Sequence, residues 1–439
     1  MASLNFFLYR TLGALALGPA LAVPIFKGRF GTRWNDRLGY TLTGGGAPLW
    51  VHAASVGEAQ SALLVFDALR DQGFKGPVLL TAGTPAGLNT LETKTKQSRA
   101  QNCQIAAPPL DFLGAPGRFL DRVAPKALIV IETELWPELF YQCQARSIPV
   151  LLLSARLSQR SHDRLARFKS FIGQTLAIPS LVATISQKDF DLLTDLGLDP
   201  KKASVIGSPK FDALIAKAQN ALALSGPNPP DLGPEVFAQS QKPLILAGST
   251  HPGEEELILS ALTTLPNLGA ALALAPRHLT RLSEVTAITQ SFGLKPVFLS
   301  ETNVLRPGPG EVTLVDKMGL LADLYRECDL AIIGGSFFEG AGHNPLEPAA
   351  VGKPLIFGPN MSSFKREAEE LVTLGVATSS PKAFLNQAIS DLLADPNRAR
   401  ALGRKGQKYL AGQKIVAPVL AKLALDFLAK PKGLGQVQK

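Results

Sequence analysis

The sequence predicts an α/β protein of two domains, each a parallel sheet with helices on both faces. Three observations lead there. Short apolar runs rich in Leu and β-branched residues recur, each followed by a longer stretch of helical periodicity; continuous rather than alternating apolarity marks strands buried on both faces. At 439 residues, 46% hydrophobic and 18% charged, the chain has the length for two or three domains and the apolar content to fill them. Midway stands SGPNPPDLGP, Ser225 to Pro234, whose prolines and glycines make a linker or long loop.

In the first half the strands are read at Leu49–Ala53, Val78–Thr81, Ala127–Glu132, Val150–Ser154, Leu181–Ile185 and Ser204–Ile206. In the second they are Leu244–Ala247, Ala271–Ala275, Val297–Leu299, Thr313–Val315, Leu330–Ile333 and Pro354–Phe357. The chain then divides into an apolar segment with a basic flank at 1–40, a first domain at 41–215, a linker at 216–242, a second domain at 243–410, and a C-terminal helix and basic tail at 411–439 that can pack back on the first domain. No repeat of fixed short period is present.

Composition removes several classes. A normal apolar fraction without a long low-complexity tract excludes disorder, and a single long uncharged apolar run excludes a polytopic membrane protein. The three cysteines, Cys103, Cys143 and Cys328, are far apart and form no C-x-x-C pair. That argues for a reducing compartment, with neither a disulfide framework nor a zinc site. The formal charge of +9 is terminal: residues 1–50 hold five basic side chains against one acidic, residues 401–439 eight against one, and the 350 between them carry −2. Ends of this kind meet an anionic surface, lipid or nucleic acid, or are simply solvated.

The N-terminus favours lipid. Sixteen uncharged residues, TLGALALGPALAVPIF, separate Arg10 from Lys27, and Arg29, Arg33 and Arg37 follow. A spanning helix needs about 20 apolar residues, and Pro19 and Pro24 would kink this one. A short membrane-inserted or interfacial anchor helix with a cytoplasmic basic flank is expected; a buried first helix is the alternative. Ala20-Leu21-Ala22 is followed by Val-Pro-Ile-Phe and does not close the run as a signal-peptide cleavage site would, so a removed signal peptide is not the first reading.

In open parallel sheets ligands bind beyond the carboxyl ends of the strands, so the polar residues that follow each strand are the candidates, and together they outline a cleft between two domains. Ser55-Val56-Gly57-Glu58 opens an amphipathic helix. The S-x-x-E spacing is a capping box, and spacing alone favours that role. A carboxylate in a first turn is also stabilised by the helix dipole and can act as a general base. Ile131–Pro137, IETELWP, sets two acids at the end of an apolar strand, expected to face opposite ways; their burial without partners is costly, which points to a site. GSPKFD carries Lys210 after another strand, either as a site cation or as a surface lysine paired with Asp212.

Arg277, in Pro276-Arg277-His278, can grip a phosphate bidentately, although a surface ion pair has the same look. The richest segment is Gly334–Pro348, GGSFFEGAGHNPLEP. Its glycines allow close backbone approach to a ligand. Asn344 can cap the next helix, with Pro345 first and Glu347 in its first turn. Free N–H groups there make an anion site, and the carboxylate can accept from both hydroxyls of a ribose. The chain lacks G-x-x-x-x-G-K-[ST], H-E-x-x-H, and G-x-G-x-x-G after the first strand. Asp189-Phe190-Asp191 spells the D-x-D of metal-dependent sugar transferases but lies in a helical stretch and reads as solvated charge. The five histidines, 52, 162, 251, 278 and 343, have no ligand spacing, so no metal is expected.

Nine blocks in order resemble the Kdo transferases of lipopolysaccharide assembly: HAASVGE (52–58), TAGTPAG (81–87), IETELWP (131–137), LLLSARLSQRS (151–161), GSPKFD (207–212), AGSTHPGEEE (247–256), APRHLTR (275–281), DKMG (316–319) and GGSFFEGAGHNPLEPAAVGKP (334–354). That family moves 3-deoxy-D-manno-octulosonic acid (Kdo) from CMP-Kdo to lipid A precursor. The resemblance spans almost the whole chain. It implies the GT-B architecture, two Rossmann-like domains facing a central cleft, with acceptor on the first and nucleotide on the second.

The resemblance further implies that Glu58 deprotonates the acceptor hydroxyl and that Glu132 and Lys210 support the transition state. Pro276, Arg277, the turn Met318-Gly319-Leu320, and Asn344, Pro345, Leu346 and Glu347 fall on the family's CMP site. It implies a metal-independent reaction with no cofactor beyond the donor substrate. The expected partners are CMP-Kdo, lipid A precursor and an anionic membrane surface, without nucleic acid, at the cytoplasmic face of a Gram-negative inner membrane. Four positions depart from the pattern: Leu320 stands where the family has Glu, Glu138 where Asn follows Trp-Pro, and Ser208-Pro209 where Asn-Leu is commoner. The alternatives are a two-domain transferase or epimerase using a UDP-sugar, and a two-domain sugar-binding protein without catalysis.

Overall fold

The computed structural model describes residues 9, 33–40, 48–97, 102–112, 114–223, 242–264 and 269–429. The apolar run at 11–26, most of the Pro/Gly-rich linker and the last ten residues lie outside the described residues, so the expected anchor does too. Among the described residues no helix is long and apolar enough to cross a membrane. The chain forms two compact units, Met1–Asp212 with Ile415–Lys439, and Ala213–Lys414. Both are Rossmann-like, each a seven-stranded parallel sheet alternating with helices.

The first sheet runs β3-β2-β1-β4-β5-β6-β7. Its strands are β1 Leu49–Ala53, β2 Val78–Ala82, β3 Cys103–Ala106, β4 Ala127–Ile131, β5 Val150–Ala155, β6 Leu181–Thr184 and β7 Ala203–Val205. Every residue of β1, β2, β4 and β5 is buried, as apolar runs covered on both faces must be. Leu49, Val51 and Ala53 pack beneath the helices Val56–Asp71 and Ala417–Ala429. Trp50 turns to the other face, against Phe119, with ring centroids 4.6 Å apart. The C-terminal helix is thus part of the first unit's core, through Val416, Leu420, Ala421 and Ala424.

The second sheet runs β10-β11-β9-β8-β12-β13-β14. Its strands are β8 Leu244–Thr250, β9 Ala271–Pro276, β10 Lys295–Phe298, β11 Glu311–Leu314, β12 Leu330–Ile333, β13 Leu355–Phe357 and β14 Ala377–Ser379. Strand order reverses direction between β1 and β4 in one sheet and between β8 and β12 in the other. At such switch points the loops diverge and leave a crevice at the strands' carboxyl ends. The segments after those four strands carry Glu58, Glu132, His251 and Gly334–Glu347.

Candidate active site

In the first unit Ser55 caps the helix Val56–Asp71, its Oγ accepting from the Glu58 N–H at 3.4 Å. Glu58 reaches back: Oε2 accepts from the Ala54 N–H at 2.6 Å and Oε1 from the Ser55 hydroxyl at 3.0 Å. The capping box is therefore real, and it fixes the carboxylate at the wall of a cavity of about 750 Å³. Glu58 is half-buried there and not sunk into the interior. Four lone-pair sites on a carboxylate leave room for a ligand beside two protein donors.

Glu132 and Glu134 do not face opposite ways; both line the same cavity as Glu58. The strand ends at Ile131, and Glu132 adopts a φ of 64°, which breaks the alternation of the pleat. On the neighbouring strand β5, Ser154 has a φ of 60° at a register shift against β6 between Leu153 and Ala155. That bulge re-aims Arg156, whose Nε lies 2.6 Å from Glu132 Oε2. Burial pushes the Glu132 carboxyl above the usual range; the Glu58 charge adds to the rise, while Arg156 and Lys210 oppose it. Burial raises Glu134 likewise, against the hydrogen bond it accepts from Trp136 Nε1 at 2.9 Å.

Lys210 is exposed in the single turn Pro209–Phe211, 5.1 Å from the centroid of the Phe211 ring. Asp212 is buried, with its oxygens 2.6–3.0 Å from the Val416 and Ala417 N–H groups, so it caps the C-terminal helix. Asp189 is likewise more than solvated charge: it accepts from the Leu157 N–H at 2.8 Å and borders the Glu58 cavity. Arg156 escaped the sequence reading although it follows a strand just as Arg277 does.

In the second unit the glycine loop differs from expectation. Its N–H groups are engaged by the protein's own anion. Glu254 is fully buried; its Oε2 accepts from Gly335 and His251, and Oε1 from Ser336 and Phe337, at 2.7–3.0 Å. Next to it Glu255 pairs bidentately with Arg281 and accepts from the Thr250 hydroxyl. Pro345, expected as the first helical residue, is instead the N-cap of a helix that is only Leu346–Ala350, and Asn344 stands one residue before it, its Oδ1 accepting from the Leu346 N–H at 3.1 Å. Glu347 lies 3.4 Å from the Asn344 amide; burial raises its carboxyl, and Lys217 opposes the rise. Lys217, from the helix Asp212–Ala223, also donates to the Ala322 carbonyl.

Pro276 ends β9 in the core and Arg277 emerges exposed beyond it. Met318 is 62% exposed, Gly319 has a φ of 85°, and Leu320 begins the turn Leu321–Leu324 by accepting from the Asp323 and Leu324 N–H groups. Three histidines without sequence spacing converge: His251 and His343 touch through their Nε2 atoms at 2.9 Å, and His278 lies 6.3 Å from His251 between ring centroids. Among the described residues no group of three or more His, Cys, Asp or Glu is placed to hold a metal ion.

The profile of the 3-deoxy-D-manno-octulosonic-acid transferase family matches residues 32–213, and that of glycosyl transferases group 1 matches residues 311–409. The chain is 34% identical over 376 residues to the 3-deoxy-D-manno-octulosonic acid transferase of Bordetella pertussis, covering 83% of this chain and 84% of that one. It is 31% identical over 396 residues to the 3-deoxy-D-manno-octulosonic acid transferase of Haemophilus influenzae, covering 87% and 88%. Among solved structures, the UDP-GlcNAc 2-epimerase of Neisseria meningitidis bound to UDP-GlcNAc shares the fold, with a TM-score of 0.54 at 13% identity over 88% of this chain and 100% of that one.

Proposed function

We propose a reaction from one premise: the chain belongs to the 3-deoxy-D-manno-octulosonic acid (Kdo) transferase family. It is a glycosyltransferase that moves Kdo from CMP-Kdo to a hydroxyl of lipid A precursor and releases CMP. The acceptor oxygen bonds to the anomeric carbon of Kdo while the bond from that carbon to the CMP phosphate oxygen breaks. The leaving electrons stay on the phosphate and the acceptor's proton passes to Glu58. One observation carries the assignment of the base: Glu58 is anchored by two hydrogen bonds, of 2.6 and 3.0 Å, at the wall of the first unit's cavity yet is still half-exposed to it.

Glu132 and Lys210 act on the same carboxylate environment, since the charges of Glu58 and Lys210 both move the Glu132 carboxyl. Their role is to balance charge around the developing oxocarbenium. In the second unit Arg277 meets the CMP phosphate and Glu347, oriented by Asn344, accepts from the ribose hydroxyls. The Met318-Gly319-Leu320 turn offers backbone and an apolar surface to the base, so Leu320 works where the family has Glu. The donor is the sole small molecule required, with no resident metal or cofactor. The apolar run 11–26 and its basic flank hold the enzyme at the cytoplasmic face of the inner membrane, against the anionic surface where the acceptor lies.

General-base assistance is worth about 10²–10⁴-fold. Glu58→Gln is therefore expected to lose transfer by that factor in a mass-spectrometric assay with CMP-Kdo and lipid A precursor. CMP affinity and the melting profile should stay unchanged. Turnover within tenfold of the parent enzyme would take the base role from Glu58. Protection from unfolding by CMP but not by UDP is the matching test of donor choice.

A further inference from the structure

We propose that the His251–His343 pair takes up one proton when an oxyanion of the donor settles beside Arg277, so that the second unit binds its donor as an anion together with a proton. The proposal rests on Arg277 being the donor's phosphate contact.

The argument begins with what the glycine loop has left to offer. Its N–H groups at Gly335, Ser336 and Phe337 already donate to Glu254, so those three are spent and side chains beside them gain weight as the groups that meet an arriving anion. The His343 imidazole lies within Arg277's field. Its Nε2 and that of His251 are 2.9 Å apart, a distance that requires one nitrogen to donate and the other to accept. A single proton lies between the rings, and the pair can add one more, on an Nδ1, without breaking the contact. A second added proton would set N–H against N–H. The pair titrates as a unit.

The backbone holds this pair in place. Gly335 has a φ of 67°, and a Cβ there would stand 3.0 Å from His343 Cδ2 and 3.4 Å from His251 Cδ2. Both rings lie against the glycine, and a side chain there would crowd the His343 ring. His251 also borders a cavity of about 670 Å³ that is open to a ligand.

The charges around the pair come from four elements. Arg277 and His278 follow β9; Glu254 grips the His251 N–H and shares its charge among four donors; Glu339 and Lys382 border the cavity. In the free protein burial, then His251, Arg277 and His278, push His343 down to about 4, so that ring is neutral at pH 7. An oxyanion among these groups cancels the repulsion and raises the affinity for a proton. By linkage the donor binds more tightly as pH falls, by at most tenfold per pH unit for one full proton. The oxyanion is either the phosphate or the sugar carboxylate.

The test is titration calorimetry on the full chain at pH 7, in buffers of different ionisation enthalpy, with cytidine, CMP and CMP-Kdo. The expected result is proton uptake with CMP, none with cytidine, and loss of that uptake in both His343→Gln and His251→Gln, with CMP affinity roughly tenfold weaker. CMP's own phosphate proton contributes equally to parent and variants and drops out of the comparison. Uptake with CMP assigns the phosphate; uptake with CMP-Kdo alone assigns the carboxylate. Equal uptake in parent and variants overturns the proposal. So does a ¹⁵N-histidine spectrum of the parent in which no ring moves from neutral to charged on adding either CMP or CMP-Kdo, a readout that needs no variant. An Arg277→Ala change that leaves CMP affinity intact overturns the donor-site reading instead, and the proposal with it.

Discussion

His52 lies on β1, six residues before Glu58 and wholly buried. Its Nδ1 is 2.9 Å from Thr81 Oγ1, which also accepts from Trp50 Nε1, while Nε2 finds no hydrogen-bond partner. Burial, with the Arg37 charge adding, holds its pKa down to about 3. The unfolded chain would bind this proton near pH 6.5 and the folded one would not until about pH 3. Stability from this residue is therefore full above pH 6.5 and is lost as pH falls toward 3, at up to about 1.4 kcal/mol per pH unit. Asp111, raised by burial to about 6, acts in the opposite sense, losing its contribution as pH rises from 4 to 6. Comparing urea unfolding of the parent and His52→Gln between pH 7 and 4 isolates the histidine: the variant's curve should be flatter by that slope. At this scale the sequence was informative where spacing is local. S-x-x-E announced both the cap and the candidate base at Glu58, because five consecutive residues, Ala54 to Glu58, contain the whole arrangement. The neutral ring of His52, with its orphaned Nε2, was invisible, since its neighbours Thr81, on β2, and Trp136, beyond β4, arrive from distant positions in the sequence.

Elements were legible in proportion to their burial. The central strands read out as unbroken apolar runs, but β3 and β14 were missed. Both are edge strands, CQIA and ATS, half-exposed and partly polar, so they lack the continuous apolarity that marks a covered strand. The glycine loop after β12 was correctly singled out, yet its purpose was misread. A Cβ at Gly334 would meet the Ser249 carbonyl at 2.2 Å, and one at Gly340 would meet the Gly335 carbonyl at 2.3 Å. Those glycines serve the folding of the loop around Glu254, whose sequence neighbours, three consecutive glutamates opening a helix, look like ordinary dipole-complementing charge. Glu254→Gln replaces an acceptor of four N–H groups by an amide with one oxygen and an opposing NH₂. The cost should be on the order of 3 kcal/mol, as for other broken buried charge networks. The variant is expected to melt earlier in calorimetry and to lose CMP affinity, whereas Glu256→Gln, on the same helix but outside the network, should change neither. Parallel loss in both variants would remove Glu254 from its place as the loop's anchor.

At the scale of the molecule the chain leaves the first unit at Asp212, builds the second, and returns at Ile415 to finish the first. The return is sealed by Asp212 itself, which caps the helix Ala417–Ala429 at the point where the other helix departs. Gly207, with a φ of 125°, allows the preceding turn to approach Val416 within 3.0 Å of where a Cβ would stand, and Gln72 donates to the Pro418 carbonyl. The turn that carries Lys210 is therefore backed by residues more than two hundred positions later in the sequence. A chain ending at Lys414 would strip Val416 and Leu420 from the first core, a loss of roughly 3–6 kcal/mol from those two side chains alone. Against a typical domain stability of about 5–15 kcal/mol, that suffices to unfold or nearly unfold the first unit, while Ala213–Lys414 keeps every residue assigned to CMP. The expected outcome in calorimetry is one transition lost or shifted far down and a second still raised by CMP, with Kdo transfer abolished. A truncated chain that kept both transitions and its turnover would show that the C-terminal helix decorates the first sheet without completing it, and would leave Lys210 supported by its own turn alone.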